Sequence, residues 1–164
     1  MTPHVEKIRV PVRLSQPNLD PRDGWLLLFP RGGAEARGQT LLELLNSPRN
    51  VIPFIQSGGA GVLLLVRINI DWVAVGAGVA EELIHPPRRG ALQEQRVELR
   101  FIDEGRVDAV LEWPSGKDTA RLSDFLNASG EFLAARAGFG TLIVNKQRIR
   151  ETRIVESLAR AIRY

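Results

Sequence analysis

The sequence predicts a mainly β protein of the α+β class, with two tandem β-rich repeats followed by a C-terminal amphipathic helix. We expect each repeat to contain about four to five strands and one short helix. Three observations lead to this prediction: apolar and polar residues alternate over strand-length segments, turn-forming residues separate these segments, and the two halves of the chain match each other. The predicted organisation is a first repeat at 1–80, a linker at 81–94, a second repeat at 95–154 and the helix at 155–164.

The first strand of each repeat is identified by alternation, because side chains of a half-buried strand point alternately to core and solvent. Its apolar positions are Val10, Val12 and Leu14 in the first repeat and Val97, Leu99 and Phe101 in the second. A turn is predicted next, at 20–24 and at 103–105, where Asp, Pro and Gly occur. Pro30 and Pro114 are expected to end the second strand, because proline cannot donate to the ladder.

A short helix follows in each repeat. Thr40 and Glu43 have the spacing of a capping box, in which each side chain accepts a hydrogen bond from the other residue's backbone. Arg121 replaces the threonine in the second repeat, so we expect that cap at Asp118 or Thr119. Further strands are predicted at 51–56, 62–68 and 72–75, and again at 132–136, 141–146 and 147–154.

Asn46 and Asn127 fall at matching positions near the ends of the two helices. We expect both to be left-handed residues after the last helical turn, a conformation that asparagine tolerates. A functional pair of asparagines is the alternative interpretation.

Five pairs of sequence blocks support the internal duplication. They keep one order along the chain: 10–14 with 97–101, 29–30 with 113–114, 41–46 with 122–127, 51–52 with 132–133 and 61–70 with 140–149. Because so small a repeat buries a core with difficulty, we expect the two to close apolar faces against each other as a pseudo-twofold dimer within one chain. Paired prolines at 86–87 predict an extended linker with an exposed His85.

The chain is predicted to carry no catalytic residue, no metal ligand and no cofactor. It has no cysteine, which excludes thiolate chemistry, and its two histidines are too few for a histidine-rich metal site. The glycine-rich stretch at 58–61 lies between two predicted strands and has no lysine, so we expect a hairpin loop there. The stretch at 31–33 leads towards a helix, but its glycines end well before it, which disfavours a phosphate-binding loop. No apolar run approaches the roughly 20 residues of a membrane span, and the N-terminus does not have the pattern of a secretory signal. We therefore expect a cytoplasmic protein that is not an enzyme.

A basic stripe near the C-terminus is the candidate interaction surface. Lys146, Arg148 and Arg150 alternate, so on a strand they would share one face. Arg153, Arg160 and Arg163 continue the positive charge, and Val155, Leu158, Ala159 and Ile162 have helical spacing. We expect this terminal helix to pack on the sheet, with partner binding as the alternative. The stripe fits a protected edge strand or protein interface better than a phosphate track, because base-stacking aromatic residues are few.

The second repeat resembles a small domain of uncharacterised bacterial proteins. The similarity is carried by Leu122-Ser123-Asp124-Phe125-Leu126-Asn127, then Phe132-Leu133, then Leu142-Ile143-Val144-Asn145-Lys146 with Ile149. The first repeat departs from it at Leu42 and Val66. The resemblance implies a bacterial origin and a recurring module, and it brings no activity with it.

These observations leave three function classes. The first is a non-catalytic protein–protein interaction or scaffold module of a bacterial assembly, whose partner is another protein or a second copy, with an interface at Trp25, Trp72 or Trp113 and nearby arginines. The second is RNA binding through the basic stripe, on an Sm-like or OB-like small barrel. The third is a small-ligand sensor in the groove between the repeats.

Overall fold

The computed structural model describes residues 6–30, 38–59, 61–116 and 121–155. Within these residues, ten strands form one antiparallel sheet, and helices are few and short. The mainly β prediction is therefore confirmed. Within the described residues, no helix has both the length and the hydropathy that crossing a membrane would require.

The described part of the N-terminal half contains five strands and one α-helix: β1 (Ile8–Ser15), β2 (Arg22–Leu28), α1 (Leu41–Leu45), β3 (Val51–Gln56), β4 (Val62–Val66) and β5 (Trp72–Gly76). The C-terminal half contains β6 (Leu92–Phe101), β7 (Arg106–Pro114), α2 (Leu122–Ala128), β8 (Phe132–Ala137), β9 (Gly140–Asn145) and β10 (Ile149–Ile154). Short 3₁₀ turns precede β5 at Arg67–Asn69 and β10 at Lys146–Arg148, and another lies between the halves at Glu81–Leu83. The strands predicted at 62–68 and 147–154 are therefore each partly 3₁₀ turn.

The two halves join edge to edge. The strand order of the sheet is β10-β6-β7-β8-β9-β5-β1-β2-β3-β4, so the halves run head to tail and meet where β9 pairs with β5. The expected face-to-face, pseudo-twofold packing is wrong. The reason is that β5 has apolar side chains on both faces, Val73 and Val75 on one and Trp72 and Ala74 on the other, so an added strand buries both.

The sheet separates two apolar cores, because alternate residues of β8 and β9 point to opposite faces. Core 1 collects Val10, Leu14, Leu26, Leu45, Phe54, Val73 and their neighbours, together with Phe132, Ala134 and Ile143 from the C-terminal half. Core 2 collects Val97, Leu99, Phe101, Leu111, Trp113, Leu133, Leu142 and Val144. The C-terminal half thus contributes to the core of its neighbour as well as to its own.

Helix caps partly follow the sequence. The capping box at Thr40 and Glu43 is confirmed, with backbone-to-side-chain distances of 3.1 and 3.2 Å. In α2 the N-cap is Arg121, whose N–H donates to Asp124 Oδ2 at 3.3 Å, so the cap does not shift to Asp118 or Thr119, which lie outside the described residues.

The expected left-handed asparagines are also wrong. Asn46 has φ −92° at the C-cap, and Asn127 lies inside α2. The predicted turn at 103–105 is confirmed, whereas the first turn lies at 16–19 and β2 already begins at Arg22.

The segment between the halves packs against the N-terminal half. Ile84 is buried in core 1, and its carbonyl accepts the N–H of Leu42 at 2.9 Å. The side chain of His85 is only 11% exposed and lies 3.1 Å from Glu81 Oε1, so the expectation of an exposed histidine is wrong. The predicted C-terminal helix lies outside the described residues except for Val155, which has no regular secondary structure.

Candidate interaction surfaces

Lys146 does not belong to an exposed stripe. It begins the 3₁₀ turn after β9, and its Nζ donates to the carbonyls of Leu126 and Ser129, both at 2.7 Å. These carbonyls belong to the end of α2, where helical partners run out. Burial lowers the pKa of Lys146. Because the turn replaces a strand here, the prediction that Lys146, Arg148 and Arg150 share one strand face is wrong.

Arg148 joins the two halves. Its Nε donates to Asp71 Oδ1 at 2.6 Å, and the Asp71 side chain is only 3% exposed. Burial raises the pKa of Asp71, while the hydrogen bond from Arg148 opposes that rise. Asp71 Oδ2 has no hydrogen-bond partner among the residues that the structure describes. Arg148 is therefore part of an internal ion pair.

The other basic residues of the candidate surface lie on β10 or beyond it. Arg150 and Arg153 are exposed, and Arg153 lies opposite Glu98 in the β6–β10 pair. The pKa of Glu98 is lowered, chiefly by the hydrogen bond from Arg100 at 2.7 Å, with Arg153 as a smaller influence. Arg160 and Arg163 lie outside the described residues. Among the described members of the stripe, only Arg150 and Arg153 are exposed.

The three tryptophans lie in different environments. Trp113 is 3% exposed and stacks on Phe125 with ring centroids 5.7 Å apart, so it belongs to core 2. Trp25 and Trp72 are half-buried on the sheet face opposite core 1. Both line a groove of about 840 Å³ that also includes Pro11, Phe139 and Leu142. The groove lies where β5 meets β9, so both halves form its walls.

Apolar surface continues from this groove across the N-terminal half. Trp25 on β2 lies opposite Ile55 on β3, which lies opposite Val62 on β4. Val62 is 55% exposed and Leu64, on the same face, is 72% exposed. Sequence reasoning identified the tryptophans but missed this face. The signal was the apolar residues at the outward positions of β2 to β4.

In the C-terminal half, the face of the sheet opposite core 2 is charged. Arg136 forms ion pairs with Glu112 and with Glu94, and Arg88 donates to Glu112 at 3.1 Å. Because these charged groups are already paired with one another, few of them are left to bind a ligand. The described residues contain no group of three or more histidine, aspartate or glutamate side chains placed to hold a metal ion.

The geometry thus offers an apolar groove with an adjoining apolar face, an internal ion pair at the junction and an exposed outer strand with two arginines. Comparison of the chain with protein-family models, curated proteins and solved structures finds no match.

Proposed function

We propose that the chain is a non-catalytic protein–protein interaction module whose partner binds the groove of Trp25 and Trp72. The observation that carries the proposal is a groove of about 840 Å³ continuous with an exposed apolar sheet face. Large contiguous apolar patches on a protein surface mark protein or membrane interaction sites and ligand-binding grooves.

The residues of the groove suit a protein partner. Tryptophan is enriched among interface residues whose truncation costs most binding energy, and both tryptophans here are held on strands. Arg13 and Asp23, which are opposite each other on β1 and β2, also line the groove and supply polar contacts at its rim. This combination of apolar centre and polar rim is typical of protein interfaces.

We further propose that the chain is a tandem duplication, which gives a scaffold two related halves. Several observations support this. Strands, helix and 3₁₀ turn follow in the same order in both halves, and the sheet orders β5-β1-β2-β3-β4 and β10-β6-β7-β8-β9 correspond. Each β3–β4 register pair has its counterpart in β8–β9: Val51 and Val66 correspond to Phe132 and Asn145.

Arg67 and Lys146 add a shared side-chain role to the duplication. Arg67 NH1 donates to Leu45 O at 3.0 Å at the end of α1, as Lys146 does at the end of α2. On the resemblance of the second half to a bacterial domain, we place the module in a bacterial assembly. The amphipathic segment at 155–164 remains a proposed helix that packs on the sheet.

A binding experiment with matched variants tests the interaction role. The intact chain, Trp25→Ala and Leu19→Ala are immobilised and compared for partners retained from native lysate. Leu19 is 56% exposed on the β1–β2 turn, outside the groove, so it controls for general stickiness. We expect a partner that Leu19→Ala keeps and Trp25→Ala loses. A partner kept equally by both variants, or none retained by the intact chain, contradicts the proposal.

A small-ligand sensor is the second candidate, since the groove volume falls in the range of about 300–1,000 Å³ that ligand sites occupy and both halves line it. A ligand that binds only the folded chain raises its melting temperature. A thermal-shift screen with apolar and nucleotide probes, repeated on Trp72→Ala, separates this candidate from the first.

RNA binding is the third candidate, and the exposed Arg150 and Arg153 on β10 are its described support. Binding that weakens steeply with salt and is lost in Arg150→Glu with Arg153→Glu would favour it. Absence of binding at low salt removes it.

A further inference from the structure

The two outer strands of the sheet have an edge that no other described strand covers. β4 pairs with β3 and β10 with β6, and the described sheet ends at both. On β4 the exposed fractions are 55% for Val62 and 72% for Leu64, and on β10 Ile154 is 53% exposed. An open apolar edge is a template for pairing with another strand.

The junction inside the chain shows which strand fits such an edge. In the sheet order, the C-terminal half begins with β10 and ends with β9, and the N-terminal half begins with β5 and ends with β4. β9 and β5 pair antiparallel through five residue pairs, from Trp72 with Val144 to Gly76 with Gly140. The two free edges are therefore of the same two types that already pair in the middle of the sheet.

The side chains exposed at the free edges correspond to side chains buried at the junction. Leu64 occupies the position of Ile143, and Ile154 occupies that of Val75; both counterparts are 0% exposed. With the junction register carried over, Leu64 lies opposite Thr152. Leu64, Val62 and Ile154 then share one face, in which Thr152 is the polar member.

Among the described residues, core 2 lacks the closure that core 1 receives. Phe132, Ala134 and Ile143 reach across the junction and complete core 1. Their counterparts in the N-terminal half are Val51, Pro53 and Leu64, of which Val51 is 43% and Leu64 72% exposed. On a second copy paired to β10, these side chains would lie over core 2, because Thr152 and Ile154 are opposite the core 2 residues Leu99 and Val97.

The matched asparagines fit the same arrangement. Asn46 bonds the backbone of Phe132 across the junction, donating to its carbonyl at 3.0 Å and accepting its N–H at 2.8 Å. Asn127, near the end of α2, is exposed. The residue that corresponds to Phe132 is Val51, at the start of β3, which would lie beside Asn127 in the next copy.

Charges on β10 leave this edge open. Glu151 accepts a hydrogen bond from Arg100 at 2.8 Å, and Arg153 lies opposite Glu98. Both side chains belong to the face of β10 opposite that of Thr152 and Ile154. Glu151 is paired with β6, and in the junction register Glu151 and Arg153 would lie opposite Leu65 and Leu63, whose side chains already pack in core 1.

We propose that copies of this chain associate head to tail, with β4 of one copy pairing antiparallel with β10 of the next in the register of the β9–β5 junction. The inference rests on the proposed interaction role and names a second copy as a partner, but it uses residues outside the groove. Because such an interface is heterologous, it produces a closed ring or an open filament, depending on the rotation between copies.

Light scattering of the intact chain over a range of concentrations tests the association. We expect masses that rise in multiples of the monomer, and a monomer for Leu64→Lys and for Ile154→Lys, both at exposed positions where the fold tolerates lysine. Leu19→Lys is the matched control and keeps the oligomer. Asn127→Ala weakens association by about tenfold, the loss expected when a hydrogen-bonded side chain is removed.

An equimolar mixture of the two edge variants tests the head-to-tail geometry. Leu64→Lys retains a normal β10 and Ile154→Lys a normal β4, so the mixture forms a dimer and nothing larger. A mixture that stays monomeric, although the intact chain associates, overturns the geometry. An intact chain that is monomeric at every concentration overturns the whole inference. So do β4 amides that resist hydrogen exchange equally at every dilution, because their protection would then not come from a second copy.

Trp25→Ala distinguishes this inference from the groove interaction. It keeps the oligomer if the edges alone carry self-association. A monomeric chain that still retains a partner through Trp25 leaves the proposed function standing and removes the self-association. A chain that oligomerises but retains no partner at the groove supports the self-association and removes the proposed groove interaction.

Discussion

Arg148 and Asp71 connect the two halves of the sheet through a hydrogen bond of 2.6 Å between Nε and Oδ1. Asp71 precedes β5, and Arg148 ends the 3₁₀ turn after β9, so the pair lies at one end of the junction. The backbone repeats the connection, since Asn145 N–H donates to the carbonyl of Asp71 at 3.0 Å. Four predictions concern this junction.

Arg148→Ala is expected to destabilise the chain by about 2 kcal/mol, because it leaves the carboxylate of Asp71 buried without its cation. Arg150→Ala, at an exposed position two residues further on, changes stability by less than about 0.5 kcal/mol. Urea unfolding of both variants measures the difference. Equal effects of the two substitutions would show that the ion pair contributes nothing to the junction.

Asp71→Asn is expected to gain stability relative to the intact chain as pH rises. Burial raises the pKa of Asp71 above 3.8, so the native chain holds this proton to a higher pH than the unfolded chain does. The contribution of this group is fully present below the unfolded pKa and is lost as pH rises through the native pKa. Unfolding free energies of both proteins, measured in steps from about pH 3 upward, test the sign, because the stability difference should move in favour of Asp71→Asn as pH rises past the unfolded pKa. The prediction is contradicted if the stability difference between the two proteins does not change with pH, or if the intact chain gains on Asp71→Asn as pH rises.

Asn46→Ala is expected to lower the free energy of unfolding by about 1–3 kcal/mol, because it removes two hydrogen bonds to the backbone of Phe132. Asn127→Ala is the matched control, since Asn127 is exposed in the last turn of α2. Measured in dilute solution, its effect should stay within about 0.5 kcal/mol. Denaturant titration of both chains decides, and an equal loss in both would show that the hydrogen bonds to Phe132 add nothing to the stability of the junction.

Gly140→Ala is expected to disrupt the pairing of β9 with β5. Gly140 has φ +146°, and a Cβ there would lie 2.3 Å from the carbonyl oxygen of Val75. Gly138→Ala meets no atom within 4 Å and serves as the control. We expect a cost of about 3 kcal/mol or more for Gly140→Ala, from overpacking and backbone strain together. A thermal melt of each variant measures it, and indistinguishable melting temperatures would rule out a close approach at this point.

The sequence predicted the local elements well, because their signals are local. Alternation located β1 and β6, and the Thr40–Glu43 spacing located the start of α1. The pairing of β5 with β9 depends on contacts between residues far apart in the chain, which periodicity does not encode. For the same reason the sequence could not tell that Trp113 is buried while Trp25 and Trp72 line a groove.

The basic stripe was misjudged for a related reason. Alternation predicts a strand for Lys146 to Arg148. In the structure, the side chains of Lys146 and Arg148 instead bind the carbonyls at the end of α2 and the carboxylate of Asp71. Those partners come from elsewhere in the fold. Alternating charges alone could not identify them.

The contribution of Phe132, Ala134 and Ile143 to core 1 has a consequence for synthesis. A ribosome makes the N-terminal half first, and that half then has an open core and an unpaired β5 until β9 emerges. During this interval the nascent chain exposes an apolar edge to everything around it. The β5 edge therefore needs protection from aggregation after the first half is made, until pairing with β9 covers it.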